Sequence, residues 1–353
     1  TTGDRSLLSD QDNGFGPLFD QPGAIVLDGG RALVADVSLR VIFAVDLTSG
    51  DREIFSDATT GTGPALAHPS GLSLDGNRAL VGDGDSGVLA LDLASGDRSV
   101  LSPPVAVGTG SGFQSPTAVA VVDGHALVVD SGRIYDVDLA SGDRTIVTDA
   151  SSLTPVGTGP ALANLDGIVV RGDQAFVTAG PAFNMGVYAV DRTSGDRTIV
   201  SDLSRGSGPA LAHLQGLALD GARALVVGEA LGQTGVVAVD LATGNRTVVS
   251  NASSGVGPLM SPVYGITVDG PRALVVCGSS GISSLGILAV DLASGDRSLV
   301  SGGNIGSGPE FSFPTAPVLD GDRLLFSALG PGGSALFAVD LASGDRTILS
   351  DSA

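Results

Sequence analysis

Apolar and polar residues alternate in short runs along this chain, and each run stops at a glycine or an aspartate. One stretch shows the pattern: Gly71-Leu-Ser-Leu-Asp75 alternates and meets Gly76-Asn77. Arg78-Ala-Leu-Val-Gly-Asp83 follows as a denser apolar run, then Gly87-Val-Leu-Ala-Leu-Asp-Leu93, then Asp97-Arg-Ser-Val-Leu-Ser102. Runs of this length with period two, set between turn residues, predict four antiparallel strands. No apolar run approaches the ~20 residues that a membrane-spanning helix needs.

The four-strand text recurs. Gly-Asp-Arg, once written Gly-Asn-Arg, places its arginine at Arg5, Arg52, Arg98, Arg144, Arg197, Arg246, Arg297 and Arg346, 46 to 53 residues apart. Strands inside a period of that size predict a β-propeller of four-stranded antiparallel blades, an all-β fold. The set from first to third strand occurs seven times, giving blades at about 23–57, 70–103, 116–149, 165–202, 214–251, 264–301 and 315–351 of a single 1–353 domain. The outer strand occurs eight times, because 4–9 is an additional terminal copy. Both terminal copies suit the outer edge of blade 7, and one of them closes the ring. The other becomes a fifth strand, a tail, or a strand donated to a neighbouring molecule, so that 4–9 and 345–350 are candidates for self-association.

The turns repeat as well. Asp-Gly ends the first strand at Asp28, Asp75, Asp123, Asp220, Asp269 and Asp320 and predicts tight hairpins. The third turn reads Asp-Leu-Ala-Ser-Gly-Asp-Arg, as at Asp340 to Arg346. Its arginine is expected to pair across the hairpin with a repeat carboxylate while its stem covers apolar surface. Between blades lie Gly61-Thr-Gly-Pro-Ala-Leu66 and its near copies at Gly157 and Gly206. A strand follows each and the chain has no lysine, so these read as rigid crossovers rather than phosphate loops.

Composition narrows the function classes. The net charge is −20, and every one of the 18 basic residues is arginine. Such a chain repels nucleic acid and anionic membranes. The single cysteine, Cys277, excludes an internal disulfide and reads as a packed residue. The chain opens Thr-Thr-Gly-Asp-Arg, expected of a processed or trimmed N-terminus. Eleven Phe, three Tyr and no Trp leave few platforms for stacking sugars.

Pro69 to Asp83, followed by the Asp-Leu-Ala-Ser-Gly-Asp-Arg turn, resembles the NHL-repeat class of propellers. More closely it resembles repeat-rich secreted or lipoprotein-type propeller proteins of bacteria. The more distant gluconolactonase and strictosidine-synthase-like propellers imply a divalent metal in the central channel, usually with six blades. The resemblance covers essentially the whole chain and specifies blades rather than chemistry.

Positions that differ between blades are where specificity is expected. The channel mouth carries Ser70, Thr117, Asp166, Gln215, Tyr264 and Thr315 in register, and Asp166 is the lone acid among them. It is the first candidate for a metal ligand or general base, set against an aspartate solvated by channel water. His68 and His213 sit at matching positions before the first strands of blades 2 and 5, without metal-ligand spacing, and read either as ligands or as hydrogen-bonded loop residues. Asp36, Asp83 and Asp130 end the second strand of blades 1 to 3 and offer a hard-cation site, calcium being the natural ion. The competing reading is turn capping, because Asp occurs only where the second turn is short. Longer second turns in blades 4 to 7 predict a face taller on one side, with a groove for a protein, peptide or glycan. These features point to a secreted, non-catalytic binding, scaffold or self-assembly module, extracellular or periplasmic in a bacterium. The alternative is a metal-dependent hydrolase, lactonase or lyase working at the channel mouth.

Overall fold

In the computed structural model the chain forms seven four-stranded antiparallel sheets, each built from four consecutive strands. The structure describes residues 15–351 apart from 85, 103–108, 114–115, 131, 150–154, 166, 182–184, 231, 280–284, 303–304, 315–316 and 331–332. The terminal copy at 4–9 lies outside the described residues. The outer strand of blade 7 is Arg346–Asp351, the C-terminal copy.

Blade 2 shows how the sequence forms one unit. Pro69–Asp75 is innermost, Arg78–Asp83 and Gly87–Asp92 are the fully buried middle strands, and Arg98–Ser102 is outermost. The middle strands are apolar over 79–81 and 88–91 because both faces of the sheet meet neighbouring blades. Seven apolar clusters follow, each shared by two adjacent blades. One joins Ile25, Val34 and Phe43 of blade 1 to Leu325, Leu336 and Ala338 of blade 7, so packing itself closes the ring. Innermost strands of successive blades face one another around the axis.

The first turn is the tight hairpin its text predicts, with Asp75 opposite Arg78 in register; beyond that reading, Arg78 Nη2 lies 2.8 Å from the Asp75 carboxylate, with matching pairs at Arg31–Asp28 and Arg272–Asp269. The third-turn arginine does not behave as its text predicts. Arg98 is 5 % exposed, and it points away from its own hairpin toward the preceding blade. Its Nε donates to Pro64 O at 2.6 Å and its Nη1 to Thr60 O at 3.0 Å and to the Ser56 hydroxyl. Ser56 ends the outer strand of blade 1 and itself donates to Gly96 O at 2.6 Å. The same latch joins Arg144 to Ser102, Arg246 to Ser201, Arg297 to Ser250 and Arg346 to Ser301, with Thr148 taking the hydroxyl role opposite Arg197. A carboxylate partner across the hairpin is therefore replaced by carbonyl and hydroxyl oxygens. These acceptors hold the guanidinium without burying a second charge. Burial pulls the Arg98 pKa below its ordinary value, while Asp57 and Asp97 nearby push it up.

The glycine-rich crossover lies flat along this latch. Gly63 adopts φ +108°, and a Cβ there would sit 1.8 Å from Arg98 O. Only glycine permits that approach.

Candidate functional site

Antiparallel order puts the first and third turns at one end of each blade and the second turn at the other. At the first end, the polar groups shape the turns. Asp92 Oδ1 accepts the N–H groups of Ala94 at 2.9 Å and Ser95 at 2.8 Å. The same cap recurs at Asp46, Asp138, Asp191, Asp240, Asp291 and Asp340. Hydrogen bonds from the residue three positions ahead are the largest cause holding all seven carboxyls below their ordinary pKa of 3.8.

Between blades 5 and 6 this end opens into a cleft of about 540 Å³ lined by Arg223, Asp240, Thr243, Asn245, Ser254 and Ser294. A second, of about 640 Å³, lies over the hairpins of blade 2 and includes Asp75, Asn77, Arg78, Asp92 and Asp97. Both are made mainly of repeat residues. They are features of the blade rather than a single specific site.

At the opposite end, Asp36 and Asp83 are fully buried. Asp36 Oδ2 accepts the N–H groups of Asp20 at 2.7 Å and Gln21 at 2.9 Å, and Oδ1 accepts that of Leu39 at 2.9 Å. Asp83 repeats this with Ala67 at 2.7 Å, His68 at 3.3 Å and Ser86 at 3.2 Å. Each carboxylate thus ties the arriving crossover to the second turn, the turn-capping alternative in atomic terms. Asp130 is buried at the matching place, opposite Arg133 in the strand register, and Arg133 Nε donates to Asp149 Oδ2 at 2.7 Å. Among the described residues no group of three or more His, Cys, Asp and Glu side chains is placed to hold a metal ion. Cys277 is buried in the core between blades 5 and 6, and burial pushes its thiol up to about 12.

Ser70, Gln215 and Tyr264 sit on innermost strands. Ser70 Oγ donates to Gly82 O at 3.4 Å, Gln215 is exposed and Tyr264 is half-buried. Thr117 lies on the strand Pro116–Val122, whereas Asp166 and Thr315 fall outside the described residues. His68 is exposed and His213 half-buried, on separate blades, and His213 adopts φ +48°. Second turns in blades 5 and 7 are lengthened by extra strand pairing, as in Glu229↔Thr234 and Leu329↔Ser334. That makes these blades taller at the mouth end.

An apolar arc on the crossovers escaped the sequence reading. The middle residue of Gly-x-Gly is Thr62, Thr109, Thr158, Ser207 or Ser307 in five blades, and its N–H and hydroxyl both bond a turn carboxylate or amide oxygen. Phe15 and Val256 take that position in blades 1 and 6 and keep only the N–H bond, to Asp51 at 2.7 Å and Asp296 at 2.9 Å. Their side chains are 79 % and 71 % exposed. Leu203 at 59 % and Ile305 at 43 % occupy the crossovers into blades 5 and 7. Four successive crossovers, into blades 5, 6, 7 and 1, therefore expose large apolar groups. Those into blades 2, 3 and 4 expose none among their described residues. Comparing the x residue of each Gly-x-Gly would have found Phe15 and Val256.

A family model described as outer membrane protein assembly factor BamB matches residues 17–201, just over half of the chain. It is a different propeller type from the NHL repeats that the blade text resembles. No curated protein matches the chain. Among solved structures, the computationally designed Ika8 protein is similar with a TM-score of 0.60 at 13 % identity, covering 96 % of this chain and 91 % of that one. The extracellular domain of the one component system BT4673 from B. thetaiotaomicron also gives 0.60, at 11 % identity, covering 93 % of this chain and 40 % of that one. BamB from Moraxella catarrhalis gives 0.49 at 17 % identity, covering 90 % and 85 %. At these identities the likeness shows the fold alone.

Proposed function

This chain belongs to the family described as outer membrane protein assembly factor BamB, and from that premise we propose that it is a non-catalytic protein-binding scaffold of the bacterial periplasm or cell surface. The observation that carries the reading is the one-sided arc of Phe15, Leu203, Val256 and Ile305. Large apolar side chains held at the rim by an otherwise polar repeat gain little from folding, and such surfaces mark protein–protein contacts. The repeat's aspartates and arginines support the same reading from the other side. They are absorbed by turn caps and latches, so what varies between blades is surface rather than chemistry. In this reading Ser70, Gln215 and Tyr264 at the mouth form a secondary polar contact for a peptide segment of the partner.

The test is chemical crosslinking in the native cell, comparing the wild-type chain with the F15S/L203S/V256T/I305S variant. The expected result is a stoichiometric complex with wild type that the variant loses while its unfolding midpoint stays within about 4 °C. A wild-type chain that crosslinks to no protein, or a variant that keeps the complex, overturns the reading.

A further inference from the structure

The cleft between blades 5 and 6 is built by the repeat and departs from it in three ways. The first departure is an unmade bond. Arg31 and Arg78, and Arg323 across the seam where blade 7 meets blade 1, each donate to a carbonyl oxygen just inside the third turn of the next blade, at Leu93, Leu139 and Leu47. Arg223 holds the same place on blade 5, but its Nε and Nη2 both go to the Asp220 carboxylate. Its Nη1 and the carbonyl oxygen of Leu292 have no partner among the described residues, and both residues line the cleft.

The second departure is an uncovered floor. Val249 on the outer strand Arg246–Ser250 is half-buried, whereas Phe55, Leu101, Val147, Val200 and Val300 at the same position are at most 8 % exposed. Arg272 also lacks a bond to Leu341 O among the described residues, yet Val300 at that junction stays buried. The unmade bond alone therefore does not open a junction. The third departure is Asn245, where the other third turns end on aspartate. Its Oδ1 accepts the Ser207 N–H at 2.8 Å and hydroxyl at 2.9 Å, which leaves the NH2 group as a donor without a partner among the described residues. Asp240 is then the one carboxylate lining this cleft, against Asp75, Asp92 and Asp97 in that of blade 2.

An apolar floor set between unused donors and an unused carbonyl oxygen matches a peptide, whose backbone carries an acceptor and a donor beside each side chain. The volume of about 540 Å³ suits such a segment. No aromatic ring lines the cleft, so a sugar has nothing to stack on. Gly255 lines it and Val256 of the apolar arc follows directly, which makes cleft and arc one surface. Resting on the scaffold reading above, we propose that this cleft anchors the partner protein through an extended, uncharged peptide segment. One aliphatic side chain of the segment seats on Val249. Its carbonyl oxygens accept from Arg223 Nη1 and the Asn245 amide, and its N–H donates to Leu292 O. Pairing buried polar groups around an apolar anchor concentrates binding energy at one spot, with the arc as the surrounding contact.

Methyl NMR of the full chain tests the site with three probes: acetyl-Ser-Leu-Ser-amide, acetyl-Ser-Asp-Ser-amide and the disaccharide of N-acetylglucosamine. The leucine peptide should shift the Val248 and Val249 methyls saturably by about 10 mM. The aspartate peptide should bind at least about tenfold more weakly, and the disaccharide should shift neither methyl. Val249→Phe installs the residue of blade 1 and should abolish the Val248 response while its unfolding midpoint stays within about 4 °C. Asn245→Asp should weaken the leucine peptide about three- to tenfold. In the native cell, Val249→Phe should lower the crosslinked complex at least about tenfold with the arc intact. A wild-type chain that crosslinks to no protein overturns the scaffold reading and the anchor with it. A complex that survives Val249→Phe, methyls that ignore the leucine peptide, affinity unchanged in Asn245→Asp, or a stronger response to the disaccharide overturns the anchor alone.

Discussion

Arg323 Nη1 donates to the carbonyl oxygen of Leu47 at 3.0 Å across 276 positions of sequence. Arg323 starts the second strand of blade 7 and Leu47 follows the third strand of blade 1, so this bond crosses the seam. Equivalent bonds join Arg31 to Leu93 O at 2.5 Å and Arg78 to Leu139 O at 2.7 Å within the ring. The seam therefore repeats an ordinary junction. Replacing Arg323 with Leu removes the donor and leaves Asp320 without its guanidinium. Expected is a loss of about 1–3 kcal/mol in denaturant unfolding, close to that of Arg31→Leu. A seam variant many times worse than Arg31→Leu would mean that the ring closes by something other than the junction chemistry.

The latch arginine makes a stronger prediction. Arg98→Met preserves apolar bulk but strands Pro64 O in a buried junction, while Thr60 O keeps only the Asp57 N–H and the Ser56 hydroxyl only Gly96 O. Uncompensated buried polar groups cost about 1–3 kcal/mol each, reduced where water enters, so a net loss of about 2–4 kcal/mol is expected. Arg98→Lys should recover little, because an ammonium cannot reproduce the planar fork. Urea midpoints of the three proteins check both statements.

Glycines separate two costs that sequence alone merges. Gly76 has φ +60° with open space around its Cβ direction, so Gly76→Ala should cost about 1–2 kcal/mol from backbone conformation. Gly63→Ala adds a clash with Arg98 O on the neighbouring outer strand, where the Cβ would lie 1.8 Å away. That variant must push the crossover off the latch and should lose at least ~3 kcal/mol. Equal midpoints for the two would show that the crossover is not seated on the strand.

What could be read from sequence followed from local rules. Strand period and Asp-Gly hairpins depend on residues within a few positions, and each is built as its text implies. The arginine of Gly-Asp-Arg was misassigned because its partners, Pro64 and Ser56, are 34 and 42 residues away and belong to another blade. No period within a blade reveals them. The junction of blades 3 and 4 hides for the same reason. Arg192 stands where other third turns have leucine and lies 3.7 Å from Asp123, while His125, in the usual arginine place, bonds Asp136 at 2.6 Å. The substitutions were visible in sequence; their exchange of partners needs the neighbouring blade. At Asp36 and Asp83 the sequence leaves capping and cation binding side by side, because the N–H groups their oxygens accept lie 15 and 16 residues away on the arriving crossover.

Acid should dismantle the turns in a defined window. The seven third-turn aspartates all have folded pKa values below the ordinary 3.8, through hydrogen bonds that the ionised carboxylate accepts more strongly than the protonated one. Unfolding returns each to its ordinary value, so below it the unfolded chain binds more protons and stability falls as pH falls. The contribution is complete above about pH 5, fades as pH drops through 3.8, and is gone once the folded carboxyls protonate. Exposure makes each share small, but seven identical shares titrate together. Asp92→Asn, whose amide oxygen still accepts the Ser95 N–H, should flatten the acid slope slightly while leaving the neutral midpoint close to that of wild type. The measurement is the urea midpoint from pH 7 to pH 3 for wild type and for variants carrying one, two and three such substitutions. A slope that shrinks with each substitution supports the caps as the source. A slope that ignores them places the acid sensitivity outside the third-turn caps.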